Sequence, residues 1–423
     1  MTRTIRHIVK DMRSRTTHGV TSNAAKGTDL QQMRKSNSLL VLNCVREHSV
    51  IPRAAVARVT GLSRTTVGSI IDALIKEGYV REGDAQRSEP SGNRRVIPVH
   101  FNVGAGHILG VAMGRNHLTI VLCDLGANVL REKTIAFDTS RGPDVCLPLF
   151  VAELNSFLEE QRLSWNKVIG IGLGMPGPLD TNLQGPVAPP RMPNWDGVQV
   201  SRILSAELSV PLYLDNNANM GALGESRYGV GRDISDMLYL KIGTGIGSGI
   251  IVDGQIYRGS GGSAGEMGHM TVDPSAPACD CGNRGCLEVL AGGPAIVEDA
   301  RRRGANVNTI VQVIQAAQGG DAACMSALVQ AGEWIGIALT GLVNFFNPSL
   351  IVLDGSTMLA GDIMLESIRG YVTAHCLPAP RAYTQIKMGT LAGNAIALGG
   401  VATVLDVAFG VSDSSHLPIL QAI

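Results

Sequence analysis

The 423-residue chain predicts an α/β body of two similar lobes preceded by a small α+β module. Three observations carry that expectation. From Gly106 onward, short apolar strands alternate with helical stretches and glycine turns. Charge is split along the chain: residues 1–98 hold 17 Lys and Arg against 8 Asp and Glu, and the remainder holds 19 against 28. A loop in the second half sets one histidine and three cysteines at metal-ligand spacing. The length exceeds what one hydrophobic core supports, so two or three domains are expected. The basic first quarter suits a polyanionic partner, and the acidic remainder does not.

Residues 1–35 are poor in large apolar side chains and rich in Arg, Thr, Ser and Lys, which predicts a disordered basic arm. A patterned module follows over 36–101. Leu39–Val45 reads as an apolar helix, and Pro52 opens a second that runs through Val59. Thr60-Gly61-Leu62 is a short turn, after which Ser63 caps a third helix. That helix places Val67, Ile70, Ile71 and Leu74 on one apolar stripe. Its other face carries Arg64, Thr65, Thr66 and Ser69, short or basic groups suited to base edges and phosphates. Gly78 ends the helix and Tyr79–Arg81 reads as a strand. A Ser/Gly/Pro loop with Arg87, Arg94 and Arg95 then leads into a strand over Val96–Phe101. Two helices across a tight turn, followed by a basic hairpin, predict a winged helix-turn-helix. Its DNA-facing residues are Arg64, Thr65, Thr66, Ser69, Arg94 and Arg95, and its partner is operator DNA.

In the body, Ile108–Met113 and Leu118–Cys123 read as paired strands, followed by Val129–Phe137, a helix over Leu147–Glu160 and a strand over Val168–Leu173. A second set starts with Met237–Ile242, a glycine turn and Ile250–Val252, and later includes Leu350–Leu353. The first set falls in 102–225 and the second in 226–423. The most apolar stretch, Trp334–Leu353, is broken by Asn344, Asn347 and Pro348. It reads as a buried helix, a turn and a strand rather than a membrane span. The basic N-terminus has no hydrophobic region after it, so no secretory signal is expected and the chain is placed in the cytoplasm.

The stretch Gly259–Glu288 is the richest in chemistry. His269, Cys279, Cys281 and Cys286 are separated by nine, one and four residues, with Gly282 and Gly285 allowing tight turns between them. Three thiolates and an imidazole form a closed tetrahedral set for Zn2+, which points to a structural ion without an open position for catalysis. The remaining cysteines are scattered, as in a reducing compartment.

This segment resembles the signature of the ROK family, which joins sugar kinases with transcriptional regulators that share their sugar-binding body. The resemblance covers about residues 36–405. It implies a ribonuclease H-like, actin-like fold of two lobes, with ligand in the cleft between them. In the family's E-x-G-H segment the Glu and His contact sugar hydroxyls and the His also binds zinc; here those are Glu266 and His269. Glu288, after the last cysteine, matches a further sugar ligand. Gly174-Met175-Pro176-Gly177-Pro178 is similar to the family's G-x-P-G-P turn. Pro193-Asn194-Trp195 and Asp215-Asn216-Asn217-Ala218-Asn219 match two more segments, which makes Asn194 and Asn216 sugar contacts by resemblance.

The catalytic parts depart from the kinase pattern. Where kinases of the family read D-x-G-G-T, this chain reads Ala112-Met113-Gly114-Arg115-Asn116, so the carboxylate is lost and Arg115 replaces a glycine. The family's catalytic Asp falls on Asn217, whose amide accepts no proton at neutral pH. Loss of a general base alone removes roughly 10²–10⁴ in rate. A second glycine loop, Gly243–Gly249, is retained. The expectation is therefore a sugar-responsive regulator, a repressor by the commoner family behaviour, acting as a homodimer or homotetramer and open to gating by a protein partner. The alternative is a glucokinase-like ATP-dependent sugar kinase carrying a DNA-binding domain.

Overall fold

The computed structural model describes residues 30–83, 86–87, 95–180, 182, 184–190 and 192–410. The described residues open with helix α1 (Leu30–His48), strand β1 (Val50–Pro52), α2 (Arg53–Thr60) and α3 (Arg64–Lys76). Strands β2 (Val80–Glu82), β3 (Gln86–Arg87), β4 (Arg95–Val96) and β5 (Pro98–Phe101) follow. The apolar stripe on α3 folds as its spacing dictates: Val67, Ile71 and Leu74 are buried and Ile70 packs partly buried beside them. Gly61 closes α2 in the left-handed conformation at φ 70°, and the Ser63 hydroxyl accepts the Thr66 N–H to cap α3. The sheet order is β1-β5-β2, with β3 and β4 paired separately as the wing.

Three features of this module differ from the sequence expectation. The basic arm expected over 1–35 is already helical from Leu30. Val50 and Ile51, unassigned in the sequence, and Pro52, expected to open a helix, form a strand antiparallel to β5, and the helix begins at Arg53. The strand expected over Val96–Phe101 breaks at Ile97, because Pro98 has no N–H to continue the ladder. Arg53 then braces the module, reaching Asp72 of α3 and Glu82 of β2 at 2.6 Å each.

The first lobe contains β6 (His107–Met113), β7 (His117–Asp124), β8 (Val129–Ala136), α4 (Pro143–Glu160), β9 (Val168–Met175), α5 (Val200–Glu207), β10 (Leu212–Asn216) and α6 (Asn217–Tyr228). Its sheet order is β10-β9-β6-β7-β8, an antiparallel meander of three strands extended by two parallel ones. The second lobe begins with β11 (Met237–Ile242), β12 (Ile246–Val252) and β13 (Gln255–Ile256). A helical insert follows: α7 (Leu287–Ala291), α8 (Gly293–Arg302), α9 (Ile310–Gln318) and α10 (Ala322–Phe346). The lobe then adds β14 (Leu350–Asp354), α11 (Asp362–His375), α12 (Pro378–Tyr383) and β15 (Gln385–Met388). Its order, β13-β12-β11-β14-β15, repeats the pattern of the first sheet. This doubled arrangement is the two-lobed ribonuclease H-like, actin-like fold.

Helix α10 is, among the described residues, the one helix long and apolar enough to cross a membrane by length and composition. Here it is the central helix of the second lobe's core, burying Leu328, Ile335, Leu339 and Val343, and it ends at Asn347 with φ 50°. The helix, turn and strand expected over Trp334–Leu353 are thus all present.

The last described helix, α13 (Ala395–Phe409), lies in the segment assigned by sequence to the second lobe, yet it packs on the first lobe's sheet. Glycines permit that approach. A Cβ on Gly110 would stand 2.0 Å from the Ala397 carbonyl oxygen, and one on Gly172 would stand 2.1 Å from that of Gly400. The helix ends inside the DNA-binding module. Phe409 meets Phe101 edge-on at 5.8 Å, and its carbonyl accepts the Asn43 amide at 2.7 Å. Arg46 lies 4.6 Å over the Phe409 ring.

Candidate functional site

The four expected metal ligands converge. The donor atoms of His269, Cys279, Cys281 and Cys286 all lie within 4.8 Å of one another. Cys279 Sγ is 3.6 Å from His269 Nδ1, and Cys281 Sγ is 3.7 Å from Cys286 Sγ. A tetrahedron with metal–sulfur bonds of about 2.3 Å has edges of roughly 3.8 Å, so the set could hold one ion. Local geometry explains the convergence. The Cys279 N–H donates to Asn283 O at 2.8 Å, Gly282 N–H returns to Cys279 O at 3.0 Å, and bridges at Ala278–Arg284 and Thr271–Cys286 close the loop. Gly285, at φ 65°, lies so close to Asp273 that a Cβ would stand 1.7 Å from its carbonyl oxygen.

Glu266 precedes the short 3-10 turn Met267–His269, whose last residue is the histidine of the candidate metal set. Burial pushes the Glu266 carboxyl above its ordinary range; His269 opposes that rise and Glu288 adds to it. Glu288 stands in the first turn of α7 and accepts the Ile246 N–H at 2.9 Å, so it reaches the glycine turn between β11 and β12. That contact explains Gly245: a Cβ there would stand 2.4 Å from the Glu288 carboxylate. Glu266, His269 and Glu288 therefore gather at the end of the second lobe's sheet. Gly249 of the same run is required by packing, since its Cβ would fall 2.4 Å from Ala218 O on α6.

Asn216 caps α6 from the first lobe. Its side chain accepts the Ala218 N–H at 2.7 Å and donates to Gly177 O at 2.6 Å, linking the helix to the Gly174–Pro178 turn. Asn194 stands on an exposed turn at φ 66°, beside the fully buried Trp195, whose indole N–H donates to Thr139 O at 2.9 Å.

The first loop, between β6 and β7, is closed by hydrogen bonds. Gly114 N–H reaches His117 O at 2.8 Å, and the Thr139 N–H and hydroxyl both donate to Arg115 O. The buried Asn217 amide donates to Met113 O at 2.8 Å, and its Oδ1 finds no donor among the described residues. A carboxylate could not make the first of these bonds.

On α3, Arg64, Thr65 and Ser69 are exposed and Thr66 is half-buried. The Thr65 and Thr66 hydroxyls each lie 2.8 Å from the Ser63 hydroxyl, which draws the polar groups of the helix N-terminus together. Arg94 lies outside the described residues. Arg95 pairs with Arg87 in the wing strands.

Two family models match the chain. Residues 108–407 match the ROK family and residues 34–81 match a winged helix-turn-helix DNA-binding domain. The chain belongs to the ROK family. The xylose repressor of Caldicellulosiruptor bescii is 31% identical over 386 residues, covering 88% of this chain and 96% of that protein. The DNA-binding transcriptional dual regulator NagC of Escherichia coli is 28% identical over 360 residues, covering 82% and 87% respectively. Among solved structures, a ROK family transcriptional regulator described as a homologue of the E. coli MLC protein superposes with TM-score 0.73. It is 24% identical and covers 92% of this chain and 99% of its own. A ROK family glucokinase from Streptomyces griseus gives TM-score 0.64 at 24% identity, covering 70% of this chain and 99% of its own, and so shares the body's fold.

Within this ROK body, sequence reasoning missed two polar tethers. Arg258 binds Asp215 across the two sheets. The fully buried Glu225 of α6 accepts the N–H groups of Val230, Thr390 and Leu391. Asp215 stood inside a matched segment, yet nothing in local spacing pairs it with a residue 43 positions away.

Proposed function

We propose that this ROK protein is a sugar-responsive transcriptional repressor in which the two-lobed body senses the ligand and the winged helix reads the operator. The observation that carries this reading is the state of the first loop. In a body that keeps the family's sugar and metal segments, the position of the catalytic base is an asparagine whose amide is committed to the Met113 carbonyl. Such a cleft binds and does not transfer phosphate. Relatives that are a xylose repressor and a DNA-binding transcriptional regulator, each aligned over more than four-fifths of this chain, support the output.

The chemistry follows from the chain's own groups. Glu266 and Glu288 offer acceptors to sugar hydroxyls from the second lobe, and Asn216 and Asn194 do so from the first, so a bound sugar links the lobes. His269 belongs to both sets, which ties sugar contact to the metal loop. The Cys3His set suits Zn2+, which when bound would hold that loop in one conformation and lower the ordering cost of ligand binding. A change in lobe closure reaches DNA through α13, whose end is packed into the winged helix. Paired in a homodimer or homotetramer in the cytoplasm, two such modules would bind operator half-sites only at one spacing.

The test is a gel shift with the full chain on the DNA upstream of its own coding region, titrated with D-xylose, N-acetylglucosamine and their phosphates. Release by one compound, without ATP, is the expected result. Sugar-dependent ATP turnover would replace this reading with the kinase one.

A further inference from the structure

The Arg258–Asp215 ion pair crosses between the lobes. Asp215 ends β10 in the first sheet and Arg258 follows β13 in the second. Arg258 Nη2 is 2.6 Å and Nε 3.1 Å from Asp215 Oδ2, with side chains only 16% and 6% exposed. The other carboxylate oxygen accepts the Asn216 N–H at 2.7 Å and the Asn219 amide at 2.9 Å. One carboxylate thus organises four donors, two of them from Arg258 on the other lobe.

Arg258 also begins the loop that ends in Glu266. Its carbonyl accepts the Ala264 N–H at 3.0 Å, and at the far end Gly265 O accepts both the Ser248 N–H and its hydroxyl, the latter at 2.6 Å. Gly265, at φ 95°, fits there because a Cβ would stand 2.2 Å from Ser248 O. The loop is therefore pinned at one end to the first lobe by charge and at the other to β12 by backbone. A buried ion pair is a poor source of net stability compared with apolar packing of the same volume. Its value here lies in register: it fixes Glu266 on one lobe relative to Asn216 on the other.

We infer that Arg258 and Asp215 are positioning residues for the effector site, holding the Gly259–Glu266 loop in the geometry that receives the ligand; the effector part of this inference rests on the sugar-sensing reading above. Arginine is required because its guanidinium presents two donors to one oxygen, which a lysine cannot do.

The test uses the full chain and three variants: Asp215→Asn, Arg258→Lys, and the double change Asp215→Asn with Arg258→Met. The double variant leaves no unpaired buried charge, so it separates loss of the clamp from misfolding. Hydrogen exchange is followed by mass spectrometry without sugar, and D-xylose and N-acetylglucosamine binding and upstream-DNA binding are measured in parallel. In the double variant we expect exchange in 259–266 to rise about tenfold with β6 and α13 unchanged, and sugar affinity to fall about tenfold with DNA affinity unchanged. Arg258→Lys is expected to fall between it and the wild type. Unchanged loop exchange in the double variant overturns the inference, as does a rise spread through β6, β9 and α13 with DNA affinity falling alongside. If the wild type binds neither sugar, the sensing reading fails, and the exchange result still decides the clamp.

Discussion

The two lobes use the same strand order, and each has a hairpin turn at the equivalent place, Gly114–Asn116 between β6 and β7 and Gly243–Gly245 between β11 and β12. The turns have been filled in different ways. In the first lobe the turn is bonded on both sides, by Thr139 to Arg115 and by Asn217 to Met113. In the second lobe the glycines remain, and Glu288 takes the Ile246 N–H that follows them. The first turn sits in a lobe whose core runs through α13 into the winged helix. The second adjoins the metal loop and the glutamates. Duplicated architecture has thus diverged: one lobe packs through α13 against the winged helix, and the other carries the candidate metal set.

The division can be broken most severely through the packing of α13. Gly172→Val should prevent folding of the first lobe, because the Gly400 backbone lies 2.1–2.4 Å from where even a Cβ would stand. A cost beyond ~4 kcal/mol is expected, read as loss of the cooperative melt. Gly247→Ala in the second sheet is the contrast. Its nearest neighbour would be Ala218 Cβ at 3.5 Å, so the melting temperature should barely move.

Next in size is the metal loop. Under the proposed zinc reading, Cys281→Ser should lower the zinc content found by metal analysis of the purified protein, and should weaken sugar binding while leaving sugar-free DNA affinity intact. Retention of one equivalent of zinc would remove Cys281 from the ligand set. Asn217→Asp sharpens the comparison from the first lobe. It should not restore ATP turnover, and it should cost about 1–3 kcal/mol in chemical denaturation, because the Met113 carbonyl loses its donor and faces a carboxylate. Smallest for the fold, and confined to output, is Arg64→Ala. It should weaken operator binding by ~1–3 kcal/mol with a changed sequence preference. A loss uniform across sequences would assign Arg64 to phosphate instead.

What the sequence revealed follows from how far apart the interacting residues lie. The α3 stripe and the Ser63 cap depend on neighbours within one or two turns, and both appear as read. The four candidate metal ligands span only His269 to Cys286, so their spacing alone signals convergence. Pairings across the molecule were not legible. Gly110 with Ala397 and Gly172 with Gly400 bring α13 to the first lobe, and no local pattern in a largely apolar helix says which sheet it will choose. Arg53, placed by sequence within a helix, proves to be the brace joining α3 to β2. Asn216 shows an intermediate case: the family segment marked it, and the cap on α6 adds a local duty that its position after a strand could have suggested.

The seating of Phe409 has a consequence for how such a protein can be re-engineered or can have diversified. The winged helix is not a detachable cassette. Its core includes the last turn of a helix some three hundred residues downstream, under Arg46 and beside Phe101. Exchange of residues 36–101 for the reader of another regulator would leave Phe409 without its partners. A working chimaera should require the final turn of α13 to be transplanted along with the reader.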